Sequence, residues 1–325
     1  MKRRIVVIGG GSAGLAAAHR VAELNNEHSL DVEVLLLEAS SRLGGSIATE
    51  HLGDFLVEAG PDSFITEKPA ALRLCERIGL VSRLVSTQSA YQKIYVVHRG
   101  KLEPLPDGFF LLAPTQLRPF MQTPLFSWAG KLRMAGDLLI PRRNIDGDES
   151  LASFVRRRFG AEALERVAQP LVGGIYASDP EELSLAATMP RFKEMEQRHR
   201  SVIWAMWLEQ RRRARNREAG SGARWSLFVT LKGGMQELID VLAGRLPTGN
   251  VRCDARVNAV DYESIQRRWR VATEDREILH ADGVILATPA FRAAEILSPI
   301  ANDAANELRQ IRYASTATVS LAYRL

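Results

Sequence analysis

The stretch that most limits what this chain can fold into lies near its start: IVVIGGGSAGLAAAHRVAEL, residues 5–24. Ile5, Val6, Val7 and Ile8 form the short, β-branched apolar run of a buried parallel strand. Gly9, Gly11 and Gly14 follow at G-x-G-x-x-G spacing, and Leu15 to Ala18 continue as a helix. In that order the first glycine permits a tight turn. The second lets a pyrophosphate reach the backbone, and the third lets the helix pack on the strand. The N–H groups and dipole of the helix N-terminus favour phosphate charge. Gly9, Gly10, Gly11, Ser12, Ala13 and Gly14 are thus the expected phosphate-binding turn. Lys2, Arg3 and Arg4 ahead of apolar residues also suit a leader peptide. That reading is rejected, because glycines break the apolar run after four residues.

The next apolar strand, within DVEVLLLEAS (residues 31–40), ends at Glu38. An acid in that place accepts hydrogen bonds from ribose hydroxyls and repels a 2′-phosphate, so an NADP-type ligand is disfavoured. Ala39 follows, then Arg42, Gly44 and Gly45, an E-x-x-x-R-x-G-G arrangement. The glycine pair permits close backbone approach, and Arg42 either neutralises phosphate or orders the turn. This arrangement resembles the second fingerprint of two-dinucleotide-domain flavoproteins of the amine oxidase type, and implies FAD rather than NAD. VEAGPDSF (residues 57–64) closes on a rigid Gly60-Pro61 turn that suits a place beside a flavin ring. The expected fold is α/β: a Rossmann-like FAD-binding domain, a mixed-sheet substrate domain and a helical insertion.

Composition narrows the class. The 325 residues are 46% hydrophobic, enough for a large core, and no uncharged apolar segment reaches the length of a membrane span. Cys75 and Cys253 stand far apart, and the six histidines show no ligand spacing. Neither a metal nor a disulfide framework is expected, and the cysteine usage suits a reducing, cytoplasmic compartment. The net charge of +5 is concentrated in EQRRRARNREAGSGARW (residues 209–225), with five arginines between Arg211 and Arg217. No aromatic interleaving accompanies them, so nucleic acid is not expected, and an exposed, solvated loop is.

Between residues 90 and 208 the texture changes. Residues 91–109 read as two short strands joined at Arg99-Gly100. Pro106, Pro114, Pro119, Pro124 and Pro141 then punctuate short helices. Leu125, Phe126, Leu132, Leu138 and Leu139 give these helices apolar faces, which suit self-packing, a flat apolar substrate or a bilayer surface. From Ser150 an amphipathic helix is expected, with Leu151, Phe154, Val155, Phe159, Ala163, Leu164 and Val167 on one face. Next comes PLVGGIYASDPEELSLAATMP, with no simple period, where Gly173 and Gly174 let the backbone face a ligand.

Here the chain resembles the protoporphyrinogen oxidase family, of the bacterial coproporphyrinogen/protoporphyrinogen-oxidising type. GGIYASDPEELSL, EAGPDSF, ERIGL, MEQRHRSVI, LKGGMQELIDVL and DGVILATPA are close to that family's wording, across essentially all 325 residues. The resemblance implies an oxidase that removes hydride equivalents from a porphyrinogen onto FAD, with dioxygen as acceptor and hydrogen peroxide as product, in haem biosynthesis. It implies no acid–base triad, since the flavin carries the difficult step. Carried over residue by residue, Gly9 through Gly14, Glu38, Ala39, Arg42 and Gly60 through Ser63 (Pro61 and Asp62 between) contact FAD. So does Val257, near the adenine. Gly174 faces the macrocycle with Ile175 packing beside it, and Lys68 meets a substrate carboxylate. Peripheral membrane contact and partners among haem-pathway enzymes stay open. Some members place an arginine in the GGSIAT segment; here Ala48 stands there.

The expected organisation is a discontinuous FAD-binding domain (1–70 and 225–290), a substrate sheet domain (71–100 and 291–325) and a helical insertion (101–224) with a basic loop at 209–223. TATVSLAYRL at the end reads as a strand, cut where full-length members continue to a glycine-rich segment. On that reading the chain is a fragment of a longer oxidase that holds FAD weakly. Two other classes share parts of the pattern. An amine oxidase or carotenoid desaturase shares the first sixty residues, and a flavin- or porphyrin-binding carrier would bind without turnover.

Overall fold

The computed structural model describes residues 2–88, 93–106, 109–110, 113–114, 116–143, 147–218 and 226–323, without the side chains of 110, 113 and 213–218. It divides into two units: Met1–Thr87 with Trp225–Leu325, and Gln88–Arg224.

The first unit grows from the opening strand β1 (Arg3–Ile8), the helix α1 (Ser12–His28) and the strand β2 (Val32–Leu37). β1 is central in a parallel sheet, with β2 on one side and Gly283–Leu286 on the other; Val251–Arg252 extends it beyond β2. The register sets Ile5 opposite both Val34 and Gly283. Successive side chains of a strand point to opposite faces, and here both faces are covered. Val7, Val34 and Leu36 pack with Leu15 and Ala18 of α1 and with Leu238, Ile239 and Leu242 of the helix Gln236–Gly244. Val6, Ile8, Leu35 and Leu37 pack instead on Val260, Val271 and Leu279. Those three come from an antiparallel meander of Val257–Glu263, Arg268–Thr273 and Ile278–Ala281. The fold is α/β, as its sequence pattern implies.

A second small sheet places Phe228–Leu231 between Phe64–Ile65 and Leu84–Ser86, all antiparallel. The hairpin Thr49–Leu52/Phe55–Glu58 supports the entry to the helix Gln236–Gly244. Glu58 accepts the Met235 N–H at 2.8 Å, and Thr49 Oγ1 accepts the Gln236 N–H at 3.0 Å.

The last segment departs from expectation. Residues 291–325 supply no strand among the described residues. Ala290–Leu297 and Asn302–Arg309 are helices, and 310–323 has neither helix nor strand. Ile296 joins the core beneath the meander. The apolar alternation of TATVSLAYRL needs a neighbouring ladder to become a strand, and none of the described strands pairs with it.

In the second unit, Tyr95–His98 and Lys101–Pro104 form the expected hairpin, with Arg99 (φ 51°) and Gly100 (φ 74°) at its turn. The apolar face from Leu151 to Val167 is buried as expected, but not on one continuous helix. Leu151–Phe159 stops at Gly160, whose φ of 95° ends the α-helical run. A side chain there would also meet Arg133 Cγ at 2.7 Å. Ala161–Ala163, a π-helical turn Leu164–Ala168 and the helix Gln169–Tyr176 follow. The aperiodic GGIY segment is thus the end of a helix, closed by Ala177 at φ 48°.

The basic loop is a second correction. Val202–Glu218 is one helix, so residues 209–218 are helical; 219–225 lie outside the described residues. Arginine, alanine, glutamine and glutamate are strong helix formers, and the arginine run contains nothing to stop the helix that enters it. Trp204 and Trp207 stack at 4.8 Å on this helix, with the Arg211 guanidinium 3.6 Å above the Trp207 ring.

One buried polar cluster ties the second unit together. Arg158 and Asp137 are each 0% exposed, with Arg158 Nε 2.7 Å from Asp137 Oδ1. Arg158 also donates to the carbonyls of Ile140, Pro141 and Arg200. Asp137 Oδ2 accepts from Ser201 Oγ (2.6 Å) and the Ile203 N–H (3.0 Å). Nearby, Arg157 bridges Glu149 and Glu196. Burial lowers the Arg158 pKa and outweighs the opposing pull of the two acids Asp137 and Glu196.

Candidate functional site: a dinucleotide cradle

The C-terminal ends of β1, β2 and Gly283–Leu286 open onto one cavity of about 690 Å³ in the first unit. That is where an open parallel sheet binds ligands. Of the residues proposed from sequence, Gly9, Gly11, Ser12, Ala13, Glu38, Ala39, Gly44, Gly45 and Val257 line it.

The glycines divide the labour. Gly9 has a φ of 108°, and a Cβ there would stand 2.5 Å from the Ala287 carbonyl oxygen. The turn must therefore be glycine, and it is pressed against the returning strand. Gly14 brings α1 onto the turn: its Cβ would lie 1.8 Å from Gly9 O. Gly11 has no atom within 4 Å of its Cβ position, and no side chain caps the helix it begins. Its open face and the uncapped N–H groups of α1 suit a pyrophosphate.

Glu38 stands at the end of β2. Its Oε2 accepts the Gly10 N–H at 2.5 Å, and its Oε1 accepts the Ser40 N–H (2.8 Å) and hydroxyl (2.6 Å). The Gly44 N–H donates to Gly10 O at 2.8 Å, which joins the two glycine turns. Of the two roles open to Arg42, its contacts are those of turn ordering: it donates to the carbonyls of Leu43, Gly45 and Ile47. Gly10, Gly14 and Arg42 thus serve the cavity from behind its wall. The Cys253 thiol lies beside this turn, pushed up from its ordinary pKa by burial and then by the Glu38 and Asp254 carboxylates. It is therefore protonated and a poor nucleophile at neutral pH.

The other proposed residues are elsewhere. Gly60 packs against the Ser46 carbonyl, 1.8 Å from where a Cβ would stand. Asp62 and Ser63 line a separate 360 Å³ cleft with Val85, Thr87 and Phe228. Lys68 is exposed at the N-cap of the helix Pro69–Arg77. Gly174 and Ile175 are exposed near the end of the helix Gln169–Tyr176 in the second unit.

Sequence reasoning missed the far wall of the cavity. Ala287, Thr288 and Pro289 are there because Gly283–Leu286 returns beside β1, a placement that DGVILATPA hints at. Arg292, Glu295 and Tyr313 also line it. Tyr313 arrives because its hydroxyl accepts the Ala290 N–H at 2.8 Å and its ring packs edge-on against Phe291. No local signal in the sequence marks such a long-range return.

Residues 12–325 match the family model described as flavin containing amine oxidoreductase. The coproporphyrinogen III oxidase of Propionibacterium freudenreichii is 37% identical over 98% of this chain and 63% of its own length. That of Bacillus subtilis is 36% identical over 99% of this chain and 67% of its own. The protoporphyrinogen oxidase of Bos taurus is 33% identical over all of this chain and 68% of its own. The chain thus spans about two thirds of the length of the curated relatives it matches. A solved structure from Exiguobacterium sp. 255-15 superposes with a TM-score of 0.79 at 31% identity, over 95% of this chain and 64% of that one. Reduced UDP-galactopyranose mutase, at 17% identity and a TM-score of 0.61, shares the fold alone. The open glycine face, the uncapped helix and the acid at the end of β2 fit an adenine dinucleotide. The chain belongs to the flavin-containing amine oxidoreductase family, it is similar there to proteins named as porphyrinogen oxidases, and FAD is the cofactor its cradle takes.

Proposed function

We propose that this chain serves the oxidation of a porphyrinogen, coproporphyrinogen III or protoporphyrinogen IX, to the porphyrin in haem biosynthesis. The observation that carries this is the 36–37% identity with coproporphyrinogen III oxidases over 98–99% of the chain, joined to an intact dinucleotide cradle. FAD, when bound, would supply the redox chemistry, namely acceptance of hydride equivalents from the substrate with dioxygen as final acceptor and hydrogen peroxide as product. The chain's own residues bind and orient. Glu38 receives the ribose, and the start of α1 faces the pyrophosphate. The first unit is accordingly the cofactor-holding part.

Gly174 and Ile175 are proposed to meet the macrocycle, and Lys68 a propionate. A Cβ at Gly174 meets nothing within 4 Å. Gly174→Val therefore leaves folding and FAD content unchanged, and its effect reads contact with the substrate alone. Turnover is expected to fall by at least about tenfold. The assay follows porphyrin fluorescence and peroxide from both porphyrinogens side by side. Porphyrin formation from neither by an FAD-loaded chain, or turnover of an amine or a polyene instead, overturns the assignment. An unchanged rate for Gly174→Val removes that residue from the site.

We also propose a cytoplasmic location with peripheral contact to an anionic bilayer. Among the described residues no helix is long and apolar enough to cross a membrane. Yet Trp128, Leu132 and Leu139 are 65%, 74% and 80% exposed within the second unit, and Leu117 is 75% exposed. Close by in sequence to Leu139, Arg142 lines a cleft with Arg198, Arg200 and Trp204. Exposed apolar residues beside basic ones suit an interfacial surface. The chain should co-sediment with vesicles containing phosphatidylglycerol more than with pure phosphatidylcholine, and Leu132→Ser with Leu139→Ser should abolish the difference. Equal partition into both vesicle types counts against it.

A further inference from the structure

The count of hydrogen bonds at Glu38 restricts how it can receive FAD. An ionised carboxylate offers about four acceptor positions, two on each oxygen. At Oε1 both are taken by Ser40, through its N–H at 2.8 Å and its hydroxyl at 2.6 Å. At Oε2 one is taken by the Gly10 N–H at 2.5 Å. Among the described residues' contacts, a single position, on Oε2, is left for a ligand. The adenosine ribose of a dinucleotide brings two hydroxyls.

Ser40 is itself held in place. Its carbonyl accepts the Asp254 N–H at 3.0 Å, which ties it to the chain after Val251–Arg252. Its hydroxyl stands 2.9 Å from the Arg42 carbonyl as well as 2.6 Å from Glu38. It has one hydrogen to give, and the charged acceptor at the shorter distance takes it.

We propose that Ser40 is a positioning residue that limits Glu38 to one of the two ribose hydroxyls of FAD. This rests on the reading that FAD occupies the cradle. Ser40 fixes the carboxylate in one rotamer and fills its second oxygen, so that the remaining acceptor on Oε2 selects a single hydroxyl. The other ribose hydroxyl is left to solvent or to the opposite wall of the cavity.

The test is equilibrium binding, read by quenching of flavin fluorescence, with FAD and with its 2′-deoxy- and 3′-deoxyadenosine analogues. In the unaltered chain one analogue should bind at least about tenfold more weakly than FAD, and the other within about threefold. Ser40→Ala vacates a position on Oε1, so both analogues should then lose affinity relative to FAD. Ser40→Thr, which keeps the hydroxyl, should restore the one-sided pattern. In Glu38→Ala the analogues and FAD should bind alike, all weakly. Equal losses for the two analogues in the unaltered chain overturn the proposal without any variant. A pattern unchanged in Ser40→Ala, with the variant as stable as its parent, also overturns it. If FAD itself does not bind, the cofactor reading fails, and this proposal with it.

Discussion

Gly14→Ala is expected to yield a colourless chain. The added methyl would lie 1.8 Å from the Gly9 carbonyl oxygen and 3.3 Å from Ala287 Cβ, both fixed by the sheet. α1 cannot tilt away cheaply, because Leu15 and Ala18 on the same helix are fully buried against the sheet. Relieving the overlap means lifting the helix start off the turn, which moves the N–H groups that face the pyrophosphate. We expect FAD affinity to fall by more than about a hundredfold, with a loss of about 1–3 kcal/mol in the stability of the first unit. Flavin absorbance of the purified chain and an FAD titration measure the first effect, and thermal unfolding the second. Gly11→Ala is the informative partner. Its methyl meets no protein atom, so the fold should persist and any weakening reports crowding of the cofactor. A yellow Gly14→Ala chain with parental affinity would show that the close helix–turn contact is dispensable.

The second large effect lies in the other unit. Asp137→Ala should destabilise it by about 3–5 kcal/mol, because it takes the bonded counter-charge from the fully buried Arg158 and leaves it with the Glu196 carboxylate at 3.8 Å. It also removes the acceptor for Ser201 and for the Ile203 N–H. In a melting curve this is a fall on the order of 10 °C. Replacing both charges, as in Asp137→Leu with Arg158→Met, should recover most of the loss, since what is costly is one unpaired charge and not the absence of the pair. A shift of less than about 1 kcal/mol in the single variant would show that Arg158 finds another partner.

The cradle was legible in the sequence because its signals are local. Four apolar residues, three spaced glycines and an acid after the next strand specify the turn, the helix and the carboxylate beside them within forty positions. The hairpin at Arg99-Gly100 was legible for the same reason. What escaped depended on distance or context. Arg158 is the last of three arginines in VRRRF, Arg156 and Arg157 both reach solvent, and nothing in that run says which of the three is buried. The arginines after Glu209 read as a loop from their charge, but charge does not end a helix, and a helix already under way continues through them. Gly160 broke an apparently continuous amphipathic face, since period alone cannot tell one helix from two in line. Tyr313 and Arg292 reach the cavity only through the return of the chain to β1, and Ser40 looks like any serine in a turn until its hydroxyl is seen on Glu38.

That return has a consequence for how the molecule comes to be. The edge of β1 is completed by Gly283–Leu286, and the Arg4 N–H donates to Asp282, 278 residues further on. During synthesis at about 5–20 residues per second, roughly 14 to 56 s separate the two partners. Throughout that interval β1 has an open, apolar edge and the cofactor cavity has no far wall, and before it ends the whole of the second unit has emerged with its own core. The second unit is free to fold first, and the first waits on a contact of very high sequence separation, whose loop-closure entropy slows it. Capture of FAD is then a late event in the life of the nascent chain, and the interval before it is when β1 is most exposed to the wrong partner.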